Sequence, residues 1–521
     1  MTARIIVIVL FLTLLAAPFV FRPRHDPPPH DALQLIVISP HNEQIRTEFS
    51  RAFDDWHRRT FGRRVNVVWN VPGGTSEIRK MLQAQFTAAI EAGEQPGGGA
   101  DLVFGGGSYE HDRLKSGVLV TFNGVQSHQP ISTPVDFSDQ WLHNLYGENV
   151  IGDLPLYDHD KHWFGTALSG FGIVSNRDVL QQIGLDDPRS WDDLCHPRLR
   201  GWLALVNPGQ SGSITTAFEA ILHRRGWPRG WQILRRAGAN SRYFSATSLK
   251  PPADVSQGEA AMGLCIDFYG RYQAQAIKVA GGGQRVAYVD PPGLSTIDPD
   301  PISMLRGAPH PILAERFITF CLTEEGQSLW QFPVNDPIDD GLGPRQFELR
   351  RMPVLRSMYD KHFDRFIDRV NPFHLATPVD NPNRNVRAFL AVIFAAMVMD
   401  NHHELKDAWD AIVSHAAYPD TGAIVLADDV QDPALRTMLE LFDAMPAIEG
   451  PNGAAYSLAT DQHLAEVRNG WLKSQWADAE LWPANAVPAD EMRRRFAASF
   501  RQNYARIVTL AKHPTPPPAA R

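Results

Sequence analysis

The stretch that most constrains the fold is Trp163 to Asn176, W-F-G-T-A-L-S-G-F-G-I-V-S-N. It is an apolar run broken by Gly165, Ser169, Gly170 and Gly172, and it leads into an amphipathic segment at 178–184. Glycine in a strand marks close approach of another backbone or an unusual dihedral angle. Repeated strand-then-helix units precede this stretch, and the same kind of unit resumes after it. It therefore reads as a crossover between two α/β lobes.

Before the crossover, three strands are expected, at 33–39, 65–71 and 101–104. They end in Pro40-His41-Asn42, in Gly73-Gly74-Thr75-Ser76 and in Gly105-Gly106-Gly107-Ser108, and helices follow. In an open parallel sheet such loops gather at the carboxyl edge, where ligands bind. After the crossover, the strand 201–206 feeds Ser211-Gly212-Ser213 at the start of a helix. That places free N–H groups where an anion or a polar oxygen can meet them. A strand at 264–266 ends in Asp267-Phe268-Tyr269-Gly270-Arg271, and a strand at 285–289 ends in Asp290. The candidate ligand residues are thus His41, Asn42, Gly74, Thr75, Ser76, Gly106, Gly107, Ser108, Ser169, Ser211, Gly212, Ser213, Asp267, Tyr269, Arg271 and Asp290. His41 and Asp267 can equally serve as local caps, and Arg271 as a solvated charge.

From about Asn371 only helical periodicity remains, at 387–399, 404–416, 432–445, 464–482 and 490–511, and a Pro-rich tail follows at 514–520. At the other end, Arg4 precedes an uncharged run over 5–21, followed by H-D-P-P-P-H-D at 25–31. A charge before a compact apolar segment is an export signal, and this one is about the minimum length of a membrane span. It is expected either to be removed or to remain as an anchor in the inner membrane. The chain has 521 residues and a formal charge of −8, which calls for several domains and offers no nucleic-acid surface. Cys195, Cys265 and Cys321 are too few and too far apart for a disulfide framework or a zinc site. Nucleophile-elbow, P-loop and dinucleotide fingerprints are lacking.

Seven stretches in order carry a resemblance: I-S-P-H-N-E-Q-I-R-T-E-F-S-R-A-F at 38–53, W-N-V-P-G-G-T-S-E-I at 69–78, D-L-V-F-G-G-G-S-Y-E at 101–110, L-S-G-F-G-I-V-S-N at 168–176, S-W-D-D-L at 190–194, N-P-G-Q-S-G-S at 207–213 and G-E-A-A-M-G at 258–263. Together, over about 33–360, they resemble the ferric-ion-type (family 1) solute-binding proteins of ABC importers. The resemblance implies a type II periplasmic-binding fold, here with an all-helical C-terminal extension. Expected boundaries are 1–32 for the signal or anchor and linker, 33–168 with 285–370 for lobe 1, 169–284 for lobe 2, and 371–521 for the extension. The hinge would lie at 164–173, with return near 281–289.

Ferric members of the class use paired tyrosines, a His and a Glu. This chain has His41 and one tyrosine, Tyr269, beside Asp267, and glycines stand near the glutamate position. An iron set would be His41, Asp267 and Tyr269. Backbone N–H groups of three Gly-rich loops with Ser213 and Arg271 suit an oxyanion better.

The expectation is an exported, periplasmic binding protein, monomeric and not an enzyme, without a cofactor or nucleic-acid partner. It would capture a small anionic solute, a phosphorylated or carboxylated molecule or ferric ion, and deliver it to an ABC permease. One alternative is a ligand sensor or scaffold whose helical extension docks a partner. Another is an enzyme using Asp267 or His41 as acid–base.

Overall fold

The computed structural model describes residues 31–122, 125–338, 340–476 and 487–512, together with Arg4, Phe11, Thr13 and Leu15. Most of the expected export segment and of the linker, and the Pro-rich tail, lie outside the described residues. Among the described residues, no helix is long and apolar enough to cross a membrane.

Twelve strands form the two main sheets: β1 (Leu33–Ile38), β2 (Val65–Asn70), β3 (Leu102–Phe104), β4 (Ser132–Thr133), β5 (Phe164–Ser169), β6 (Phe171–Asn176), β7 (Leu203–Val206), β8 (Ser241–Ser245), β9 (Met262–Ile266), β10 (Val286–Val289), β11 (Asp298–Leu305) and β12 (Met352–Pro353). The first sheet runs β12-β5-β11-β3-β1-β2, with β4 added on β11. The second runs β8-β7-β9-β6-β10. β1 pairs in parallel with β2 and β3, while β11 runs antiparallel to β3 and β5. Every residue of β5 and β6 is buried. Gly170 alone separates them, so the chain passes from one sheet to the other at that residue. A Cβ on Gly172 would sit 2.1 Å from the carbonyl oxygen of Val289, so the antiparallel contact of β6 with β10 requires glycine there.

The return path differs from the sequence expectation. β10, expected to begin the return to the first lobe at 285, pairs with β6 in the second sheet. The chain re-enters the first sheet only at Asp298, in β11. That strand reads D-P-D-P-I-S-M-L. Proline has no N–H to give a ladder, so two prolines argue against a central strand from sequence alone. The ladder accommodates them with a register shift between Asp300 and Pro301.

The helices that position the site are α1 (Glu43–Phe61), α2 (Thr75–Glu91), α3 (Ser108–Ser116), α4 (Gly212–Arg225), α5 (Trp227–Asn240) and α6 (Asp267–Ile277). The first lobe buries Phe49, Phe53, Phe104, Phe317, Phe320 and Trp330 in one core. Cys195, Cys265 and Cys321 are free and buried.

The C-terminal part is helical, with α7 (Val386–Phe394), α8 (His402–Val413), α9 (Pro433–Asp443) and α10 (Pro488–Lys512), apart from a small hairpin of 447–449 with 455–457. It is not packed as a separate unit. Phe389, Phe394, Trp409, Phe442 and Phe500 share one continuous core with Leu203, Phe218, Trp231 and Leu264 of the second lobe. Polar contacts cross the same boundary: Arg236 pairs with Asp443 at 2.6 Å, and Trp409 Nε1 donates to Asn240 Oδ1 at 3.0 Å.

Candidate functional site

The loops that follow β1, β2 and β3 converge on a cavity of about 300 Å³ between the two sheets. Its wall includes His41, Gly74, Thr75, Gly106, Gly107 and Ser169 on one side, and Ser211, Ser213 and Tyr269 on the other. Nine of the sequence-proposed residues therefore share one cavity.

The starts of three helices border it. Asn42 caps α1 nearby, but Gly74 caps α2, Gly107 caps α3 and Ser211 caps α4, and these three lie at the cavity. Helix N-termini carry unsatisfied N–H groups and the positive end of the helix dipole. Gly107 holds φ at 86°, a conformation that favours glycine. A Cβ there would also stand 2.6 Å from an Asp298 oxygen. The two sides touch directly: the Gly212 N–H donates to Thr75 Oγ1 at 3.1 Å, and Gln44 Nε2 to the Tyr272 hydroxyl at 3.0 Å.

Seven proposed residues do not line the cavity. Asn42 accepts from the Ile45 N–H as a cap. Ser76 Oγ donates to Glu110 at 2.9 Å, and Ser108 Oγ to Asp298 at 2.7 Å. Gly212 lies behind Thr75. Asp267 is fully buried, and its Oδ1 accepts from the Phe268 N–H. Arg271 pairs with Asp290 at 2.5 Å, and both are outside the cavity. The reason is helical: residues two apart on α6 point about 200° apart, so Tyr269 facing the cavity turns Arg271 away.

The groups that organise the site were not among those proposed. Arg351 is 3% exposed and donates to Asp300 Oδ2 at 2.7 Å and to Ser169 Oγ at 2.6 Å. His41 Nε2 lies 2.8 Å from the same Asp300 oxygen. The Arg351 guanidinium also stacks over Phe268 at 4.5 Å. Burial works to raise the Asp300 pKa, but Arg351 and His41 outweigh it and hold the carboxyl well below the usual range. Burial lowers the His41 pKa, against the pull of Asp300, so the imidazole is neutral near pH 7. Burial pushes Asp298 up to about 6 and the Tyr269 phenol up to about 12. Thr247 and Ser248 complete a hydroxyl-rich wall, with Ser248 Oγ 2.8 Å from Ser211 Oγ and 3.0 Å from Ser213 Oγ. Apolar patches come from Val71, Phe171, Leu249 and Ile266.

Among the described residues, no group of three or more His, Cys, Asp or Glu is placed to hold a metal ion. The iron set fails as a set, since Asp267 does not line the cavity that His41 and Tyr269 share. The cavity has the character of a recognition site: rigid hydroxyl and N–H donors, one anchored cation and apolar walls.

Residues 129–339 match the family model described as bacterial extracellular solute-binding protein. Over that stretch the chain resembles bacterial extracellular solute-binding proteins. The family is one of binding proteins rather than enzymes. The chain is 27% identical over 163 residues to the phosphoglycerate transport regulatory protein PgtC of Salmonella typhimurium. The aligned stretch is 31% of this chain and spans 39% of that relative's length. Among solved structures, the substrate-binding protein of an ABC transporter from Agrobacterium tumefaciens superposes with a TM-score of 0.51 at 15% identity. It covers 70% of this chain and 94% of its own. At that identity the likeness is one of fold: a type II periplasmic-binding architecture, to which this chain adds its helical C-terminal part.

Proposed function

We propose that this chain captures a small oxyanion-bearing solute, a phosphorylated or carboxylated organic molecule, between its lobes and presents it to an ABC permease of the inner membrane. The observation that carries the reading is the convergence of three helix N-termini on one cavity with Arg351 and the hydroxyls of Thr75, Ser213 and Ser248. Each helix start favours negative charge by roughly 0.3–1 kcal/mol, and each charge-assisted hydrogen bond adds about 1.5–3 kcal/mol. A few such terms reach micromolar affinity after the entropic cost of binding. The wall carries three acidic residues: Glu77, which accepts from the Gly74 N–H at 3.0 Å, and Asp298 and Asp300, which do not oppose this at mildly acidic pH. Arg351 compensates Asp300, and Asp298 holds its proton up to about pH 6. The name of the 27%-identical relative, a phosphoglycerate transport regulatory protein, points to the same ligand chemistry.

Ferric ion is the weaker ligand. Tyr269, raised to about 12, stays a neutral phenol that donates a hydrogen bond, rather than the phenolate a ferric site would call for. The protein would be exported and periplasmic, whether or not its N-terminal segment stays as an anchor. A second reading, ligand sensing, is favoured by one observation: the helical extension is continuous with the second lobe's core, so lobe movement would carry it. Titration with phosphorylated sugars, phosphonates, carboxylates and ferric citrate tests the proposal. The expected result is saturable one-to-one binding of an organic oxyanion without turnover.

A further inference from the structure

A second pocket, of about 270 Å³, lies outside the cleft, beside α6 and β10. Its wall carries four cations, Arg177, Arg271, Lys278 and Arg350, with Gln284 and Tyr288 between them. No carboxylate lines it. The acids lie behind the arginines: Asp187 pairs with Arg177 at 2.7 Å, Asp290 with Arg271 at 2.5 Å and Asp368 with Arg350 at 2.5 Å. Such pairs fix the planar guanidinium forks in place.

Two guanidinium nitrogens of the wall residues lack a hydrogen-bond partner. Arg271 and Arg350 are 9% and 7% exposed, and Nη1 of each is buried without a hydrogen-bond partner. Asp267 Oδ2 lies 3.9 Å from Arg271 Nη1, beyond hydrogen-bond reach. Lys278 is exposed and makes no ion pair among the described residues. Arg350 also holds φ at 59°, the left-handed region that a side chain of this size adopts only when its surroundings enforce it. Its neighbour Arg351 faces the cleft, so consecutive arginines serve the two pockets.

We propose that this outer pocket is an oxyanion site of its own, taking a phosphate or sulfate group held by Arg271, Arg350 and Lys278. The walls belong to different lobes. Arg350 precedes β12 of the first sheet, whereas Arg271 and Tyr288 are on α6 and β10, packed with the second. An anion here therefore bridges the lobes and favours the arrangement in which Arg350 and Arg271 converge, independently of what the cleft holds.

The test is a titration of the full chain with inorganic phosphate by calorimetry, with sodium chloride holding ionic strength constant. Because Lys278 is exposed, Lys278→Gln and Lys278→Glu change the site without touching the core. Saturable binding weakened several-fold by Lys278→Gln and at least tenfold by Lys278→Glu is the expected result. Arg350→Lys should also weaken it, through loss of the fork. A cleft variant, Ser213→Ala with Tyr269→Phe, should leave this phosphate affinity unchanged. Equal affinity in wild type and both Lys278 variants overturns the proposal. So does loss confined to the cleft variant, which would put phosphate in the cleft and leave the cleft reading standing.

Discussion

Arg351 serves three groups at once, which sets the cost of changing it. It neutralises Asp300, donates to Ser169 and lies 3.0 Å from His41 Nε2, all of them buried. Removing one partner of a buried ion pair strands the other charge, at a cost of about 3–5 kcal/mol. Arg351→Gln should lower the urea midpoint by that much stability, and Arg351→Lys should recover only part, since an ammonium lacks the fork. A loss below about 0.5 kcal/mol would show that Asp300 does not depend on Arg351. Tyr269 allows a sharper discrimination. Tyr269→Phe removes one donor from an oxyanion site and should cost less than about tenfold in affinity. For a ferric ligand set the same change would remove a principal ligand and nearly abolish binding. At this scale the sequence was legible where a Gly- or Ser-rich loop follows a strand, hence His41, Thr75 and Ser213. Arg351 was not legible: no local pattern marks an arginine just before a two-residue strand whose partners lie 51 and 182 positions away.

β11 is the element that joins the sites to the fold. Asp298 and Asp300 stand two apart and so share a face, the one turned to the cavity. Pro299 and Pro301 concealed the strand, and with it both carboxylates. The prolines also explain why the return to the first lobe was expected too early, at β10. Asp298 gives this strand a pH dependence. Its pKa is raised from 3.8 to about 6, so the folded protein keeps a proton that the unfolded chain has already lost. Its contribution to stability is therefore greatest below about pH 4 and declines as pH rises to 6. Asp298→Asn stays neutral throughout. Relative to wild type it should gain roughly 1–3 kcal/mol between pH 4 and 7. A difference that is flat with pH would contradict the burial argument. At β6, Gly172→Ala places a methyl group against the Val289 carbonyl. It should cost about 1–3 kcal/mol in thermal unfolding, whereas an unchanged midpoint would mean that β10 can shift away.

At the scale of the molecule, the helical extension completes the second lobe. The two-lobed plan and the helical character of the C-terminal part were legible from periodicity. Their shared core was not, because an apolar stripe on a helix does not say which surface covers it. Truncation near residue 371 should therefore expose Phe218, Trp231 and Leu264, and the product should aggregate or lose cooperative unfolding. A soluble, cooperatively folded truncation would show that the lobes need no extension. The cleft is bridged in this structure by Thr75 and Gly212 and by Gln44 and Tyr272, contacts made across the two lobes. Closure around a solute is the expected working motion of such a fold.

The central claim is that this cleft takes an organic oxyanion rather than a metal. The measurement that tests it most directly is a calorimetric titration of the intact protein, and of its Tyr269→Phe variant, with phosphorylated and carboxylated solutes and with ferric citrate. One-to-one micromolar binding of an organic oxyanion, weakened less than about tenfold by Tyr269→Phe, is expected. A coloured ferric complex that disappears in Tyr269→Phe, with no organic oxyanion bound, would contradict it.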